Sequence, residues 1–114
     1  MKIVLLRERC PDRVSCPHLY STDKGTYVVQ GYISTNLPHD SGQTVVEIPL
    51  SLVPEFAAHT HVDLVLTDHE TVLVRGTRVT DKEALAKMQL PVGEDAVELA
   101  ADVLPPLEVA VNAR

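Results

Sequence analysis

Cys10, Cys16 and His18 lie within nine residues of one another, and His59 and His61 follow in the segment AAHTH. Thiolates and neutral imidazoles are the ligands that zinc prefers, and a His-Thr-His run places two imidazoles on one side of an extended chain. A constant spacing of 45 residues lays His61 on Cys16, so the five side chains form a candidate zinc site with ligands drawn from two related segments. Against it stands the Cys-x5-Cys-x-His spacing, which departs from zinc-finger patterns, and isolated His and Cys are common in loops. The same two cysteines could instead form a redox pair, although nothing in the sequence marks a lowered thiol pKa.

Other chemistry is sparse. Glu47 and Glu98 are the repeated acids of a strand-like pattern and suit a general acid and base by residue type, but a solvated strand face accounts for them more simply. Asp12, His39 and Asp40 show no triad arrangement, and GxSxG, P-loop and dinucleotide fingerprints do not occur. No catalytic residue is assigned, no cofactor other than zinc is indicated, and the expectation is a protein that is not an enzyme. The remaining candidates are aromatic. Tyr20, Tyr27 and Tyr32 fall in one segment whose later counterpart has Val65, Val72 and Thr77. Tyrosines kept on one side of a repeat and lost on the other point to a partner-binding face, since tyrosine is enriched at interfaces; packing within the fold is the competing explanation.

The elements that would carry these residues come from an internal repeat. Leu19–Tyr32 lies on Leu64–Thr77 without a gap, sharing Leu19/Leu64, Thr22/Thr67, Asp23/Asp68, Thr26/Thr71, Val29/Val74 and Gly31/Gly76. Val45–Phe56 lies on Ala96–Leu107, where the spacing has grown to 51 residues. Repeat boundaries are approximately 16–56 and 61–107 within a single domain spanning 1–114, joined at Ala57–His61. Each repeat reads as a β-hairpin, a strand and a short turn of helix. Thr22-Asp23-Lys24-Gly25 suits a type I turn with a G1 bulge, which pairs Leu19 with Val29 and puts both in the core, with Val28 and Gln30 on the other face. Glu70 replaces Gly25 in the second repeat, which predicts a different turn there. Ser51 and Asp102 are placed to cap short helices, and Thr80-Asp81-Lys82-Glu83 forms a capping box ahead of EALAKM. Three strands bury their own face poorly, so two repeats closing one core about a pseudo-twofold axis give an α+β, mostly antiparallel domain.

Composition narrows the partners. With a net charge of −6, and with RERCPDR at Arg7 to Arg13 the one dense basic run, the chain is unsuited to polyanions, which bind mainly through Lys and Arg. MKIVLL is too short for a signal-peptide core or a membrane span, so a cytoplasmic protein is expected. At 45% hydrophobic residues with a single Phe and no Trp, the core must be aliphatic.

Taken together, CPHLYSTDKGTYVVQGY and RVTDKEALAKMQLPVGEDAVELAADVL resemble small uncharacterised actinobacterial (Streptomyces-like) proteins with GTYVVQG and VTDxEALxxLxLPxGExxVEVP-like elements. The resemblance covers most of the chain, with the helix wanting in the first repeat and Cys-Pro and Gly-Thr-Tyr in the second. Such proteins are often encoded beside helix-turn-helix regulators, which implies an accessory, regulatory role and a protein partner. The expected function is a cytosolic protein-interaction module that also self-associates as a homodimer. Two alternatives stand beside it: a zinc-binding protein, and a DNA-binding regulator of the swapped-hairpin barrel kind, which the strand, Ile-Pro and short capped helix resemble.

Overall fold

The computed structural model describes residues 1–8 and 17–107. β-branched and apolar residues alternate with polar ones through most of these residues, and seven strands result among them. They are β1 (Ile3–Glu8), β2 (His18–Thr22), β3 (Thr26–Ile33), β4 (Gln43–Pro49), β5 (Leu64–Leu66), β6 (Thr71–Arg78) and β7 (Glu94–Ala100). All pairings are antiparallel, and one helix, α1 (Lys82–Met88), is added to the sheet. The result is one sheet-dominated α+β domain of about 33 × 30 × 29 Å. Among the described residues no helix is long and apolar enough to cross a membrane.

Four strands form a closed circuit. β3 pairs with β7 from Thr26↔Ala100 to Tyr32↔Glu94, and β4 pairs with β6 from Gln43↔Thr77 to Pro49↔Thr71. Shorter contacts complete the ring, β3 to β4 through Tyr32↔Glu47 and Ile33↔Val46, β6 to β7 through Thr77↔Glu98 and Arg78↔Val97. Strands must cross closely where they change partner, and glycine sits at both crossings. A Cβ on Gly31 would stand 2.6 Å from Ile48 Cγ2 and 2.7 Å from the Glu47 carbonyl; one on Gly76 would stand 2.6 Å from Val97 Cγ1 and 2.9 Å from the Glu98 carbonyl.

The hairpins form in the expected register, Leu19 opposite Val29 and Leu64 opposite Val74. All four side chains are buried in the larger core with Val46, Ile48, Phe56, Val72, Val97 and Leu99. Fully burying an aliphatic side chain of this size stabilises by about 1.5–3 kcal/mol. Val28, assigned by alternation to the opposite face, is buried as well, because α1 covers that face. Ala84 and Met88, four residues apart on the helix, pack with Ile3, Tyr20, Val28, Val79 and Ala96 in a second core.

Local signals were placed less accurately. α1 is capped by Asp81, whose carboxylate accepts from the Ala84 N–H at 3.0 Å, one residue later than a Thr80 capping box requires. Ser51 and Asp102 cap nothing; they lie inside 3₁₀ turns at Leu50–Leu52 and Ala101–Val103, whose capping positions are Pro49 and Ala100 without a side-chain bond. Glu70 takes φ +63°, close to the +77° of Gly25, so the two hairpin turns have the same left-handed residue and do not differ there. Cross-turn threonines explain this. Thr67 Oγ1 accepts from the His69 N–H at 3.1 Å as Thr22 Oγ1 accepts from the Lys24 N–H at 3.1 Å, and the same hydroxyl-supported turn forms in both places.

Candidate interaction surface

Tyr32 ends the regular part of β3, opposite Glu47 on one side and Glu94 on the other. Just past the Gly31 crossing the strand leaves the protection of the ring, and Tyr32 and Ile33 are 41% and 51% exposed. A cavity of about 290 Å³ opens beside Tyr32, lined with it by Pro17, Glu47, Ile48, Pro49 and Thr71. Its walls are almost wholly apolar. A volume at the small end of the range for ligand sites admits an apolar side chain more readily than a cofactor.

The three tyrosines do not share one face. Tyr20 is 5% exposed and belongs to the second core, its ring stacked on His18 at 5.7 Å between centroids. Its hydroxyl donates to Gln30 Oε1 at 3.3 Å, and Gln30 Nε2 donates in turn to Glu94 Oε1 at 2.9 Å. Burial raises the Tyr20 pKa, and the Glu8 and Glu94 charges push the same way, so the phenol stays neutral and a donor. Tyr27 is half-buried, lies opposite Leu99 and packs against the larger core. Alternation puts Tyr27 of β3 against the larger core and Tyr20 of β2 in the second core, which a count of aromatics could not reveal.

The proposed zinc ligands serve separate local roles. Cys10 and Cys16 lie outside the described residues. His18 Nε2 is 3.2 Å from Glu8 Oε2, while its buried Nδ1 meets no partner among the described residues, and neither does Glu94 Oε2. His59 Nε2 donates to the Val103 carbonyl at 2.8 Å, and His61 Nδ1 accepts from the Asp63 N–H at 3.0 Å. Among the described residues no group of three or more His, Cys, Asp or Glu side chains is arranged to hold a metal. His59 holds the end of a 3₁₀ turn much as Arg7 does elsewhere, where Nη1 donates to the Leu52 carbonyl at 3.1 Å.

The repeated glutamates have a structural use that residue type alone did not disclose. Glu98 accepts from Thr26 Oγ1 at 2.7 Å, and Thr26 Oγ1 is 2.7 Å from Thr22 Oγ1. Glu47 accepts from Thr71 Oγ1 at 2.6 Å, with Thr67 Oγ1 2.6 Å from Thr71 Oγ1. Each carboxylate thus tightens the turn of a hairpin distant from it in sequence. The signal was present, since Thr22/Thr67, Thr26/Thr71 and Glu47/Glu98 are all identities, but the partner-switching that joins them is visible only in three dimensions.

Basic groups are similarly engaged. Arg7 pairs with Glu55 at 2.6 Å, Arg75 with Asp63 at 2.8 Å and Arg78 with Asp95 at 2.8 Å. Every described arginine therefore has a carboxylate beside it, which opposes its use on phosphates. Compared with models of known families, with curated proteins and with solved structures, the chain matches none of them.

Proposed function

We propose that this protein is a non-enzymatic, cytosolic protein-interaction module, an accessory to a transcriptional or developmental regulator, whose partner inserts an apolar side chain beside Tyr32. The observation that carries the reading is the exposed Tyr32 ring, which lines the apolar cavity of about 290 Å³. Exposed aromatic and aliphatic side chains next to a preformed pocket are the usual ingredients of an interface centre. The regulatory context follows from the sequence resemblance alone. Panning a random-peptide display library on the protein should return peptides with a shared apolar anchor whose binding is lost on Tyr32→Ser. Anchored peptides that bind Tyr32→Ser and wild type equally would defeat the reading. Self-association, read by analytical ultracentrifugation, should be weakened by the same substitution.

The architecture behind this surface is, in our reading, a tandem duplication closed about a pseudo-twofold axis. Several independent pairings support it. Tyr32↔Glu47 and Ile33↔Val46 have Thr77↔Glu98 and Arg78↔Val97 as counterparts at the sequence spacings of 45 and 51, and the Thr–Glu networks exchange carboxylates in the same way. Cutting the chain within Ala57–His61 tests this. Residues 1–58 and 59–114, co-expressed, should assemble into a folded complex while neither folds alone; independent folding of one fragment would refute shared-core closure.

A further inference from the structure

The two hairpins differ at their outer edges. Along β2 lies β1, with Val4 opposite Ser21, Ile3 opposite Thr22, and the Asp23 N–H donating to the Lys2 carbonyl at 3.0 Å. Lys2 N–H returns a bond to Asp23 Oδ1 at 3.1 Å. β5 stands where β2 stands, with Leu64 opposite Val74 as Leu19 is opposite Val29, yet β5 ends the sheet and among the described residues no strand lies along it.

Register decides which groups this edge presents. The Arg75 N–H donates to the Asp63 carbonyl at 2.9 Å and the Thr67 N–H to the Thr71 carbonyl at 3.0 Å, so residues 63, 65 and 67 address β6. Alternation then turns the N–H and C=O of Leu66 to the open side, where Ser21 meets Val4 in the other hairpin. Leu66 is 46% exposed, and Asp68 stands in the place of Asp23 with its carboxylate 90% exposed. The far edge of β1 is protected differently, since Lys87 Nζ donates to the Ile3 carbonyl at 2.6 Å and a bulge interrupts the strand between Leu5 and Arg7. Such devices are how sheet edges avoid unwanted pairing; on β5 the Leu64 N–H turns back to the His61 carbonyl at 3.1 Å, and the strand is otherwise short and open at Leu66.

Charge selects the occupant. From His61 to Val74 the chain carries Asp63, Asp68 and Glu70 and no Lys or Arg, and Asp63 is already held by Arg75. We infer that the outer edge of β5 is a docking site for an extended, basic and apolar segment of a partner protein, which adds as an antiparallel strand in the manner of β1, with a backbone N–H on Asp68 and its hydrogen-bonding residue opposite Leu66. Strand addition draws affinity from main-chain hydrogen bonds and discrimination from flanking side chains. The site is separate from the Tyr32 cavity, and its failure would leave that proposal as it stands.

The test uses the full chain and the peptide Lys-Ile-Val-Leu-Leu-Arg, which copies residues 2–7, added to ¹⁵N-labelled protein. Amide shifts should appear at Leu64, Leu66 and Asp68, and hydrogen exchange at Leu66 should slow at least tenfold at saturation. Leu66→Pro deletes the outward donor and should abolish the peptide-induced shifts at Leu64 and Asp68 while keeping the melting transition. Should that variant not fold, Asp68→Lys serves, and it should reverse the preference from this peptide to one in which Glu replaces Lys and Arg. Shifts confined to Leu19–Asp23, meaning displacement of β1, would overturn the proposal. So would no response at millimolar peptide, or a concentration-dependent change at Leu66 in the protein alone, which would assign the edge to a second copy.

Discussion

The hairpins β2–β3 and β5–β6 keep the same register and the same threonine-supported turn, yet one is covered on its outer face by α1 and on its edge by β1 while the other is not. What they share is what the ring requires: glycine at the crossing, threonines in the turn, a glutamate from a strand far away in sequence. What they do not share is side-chain identity at positions whose backbone pairing is kept. Tyr32 against Thr77 and Lys24 against His69 change the surface without disturbing a single strand pairing of the circuit. Identity between the segments therefore marks mostly the scaffold, and divergence falls mostly on side chains that the strand pairings do not depend on.

The comparison breaks most severely at the crossings. Gly31→Ala should destabilise by about 3 kcal/mol, near the upper end for overpacking, because its Cβ would press on backbone as well as on Ile48. Gly76→Ala should cost somewhat less, since its nearest backbone atom is 2.9 Å away and Val97 Cγ1 and Leu99 Cδ2 can shift. Urea unfolding of both variants decides it, and equal stability to wild type would mean the strands do not cross as closely as described. Next in size are the carboxylates. Glu47→Ala and Glu98→Ala should each cost about 2 kcal/mol, the range for hydrogen bonds to charged groups, and should do so alike. Lys24 also pairs with Glu98 at 3.3 Å but is itself well exposed, so that contact adds little to the difference. A Glu47→Ala effect below half that of Glu98→Ala would show that the two networks are not equivalent in energy.

A smaller change probes the turns. Glu70 holds φ +63° with a side chain that gains nothing from it, so Glu70→Gly should stabilise by about 1 kcal/mol and raise the melting temperature by a few degrees. Gly25→Glu should have the opposite sign. Thermal melting of the pair measures the cost of the left-handed residue in two turns of the same kind.

Much of this scaffold could be read from residues alone, and the reason is local. Leu19 with Val29 follows from turn length and alternation, and the helix at Lys82–Met88 follows from the capping-box signal Thr80-Asp81-Lys82-Glu83, though its cap is Asp81 rather than Thr80. The ring could not be read, because β3 leaves β7 for β4 at a glycine whose sequence signature is simply Gln30-Gly31-Tyr32. Nor could the tyrosines be sorted. Tyr20 and Tyr32 differ in exposure because α1 and the second core arrive over one and not the other, and that is a tertiary fact. His59 and His61 were legible as residue types, but a backbone carbonyl and a backbone amide engage them in the structure.

The smallest effect belongs to α1, which one hairpin has and the other lacks. Asp81 is held below its usual carboxylate range, first by the Ala84 N–H it caps and then by the Met1 ammonium at 3.0 Å. The Met1 ammonium is in turn raised above the usual amine value by Asp81 and Glu83. A lowered carboxylate contributes stability that is present above its unfolded pKa and lost as pH falls through the lower folded value; a raised ammonium contributes stability present below its unfolded pKa and lost as pH rises through the higher folded value. The contact therefore contributes fully only between the ordinary carboxylate and amine ranges. Asp81→Asn should keep much of the cap, since asparagine is a good capping residue, while flattening both shoulders of the stability profile. Melting temperatures of wild type and variant from pH 3 to pH 10 should converge at both ends and separate in the middle. A constant offset across that range would assign the loss to the cap alone and leave the ion pair without energetic weight.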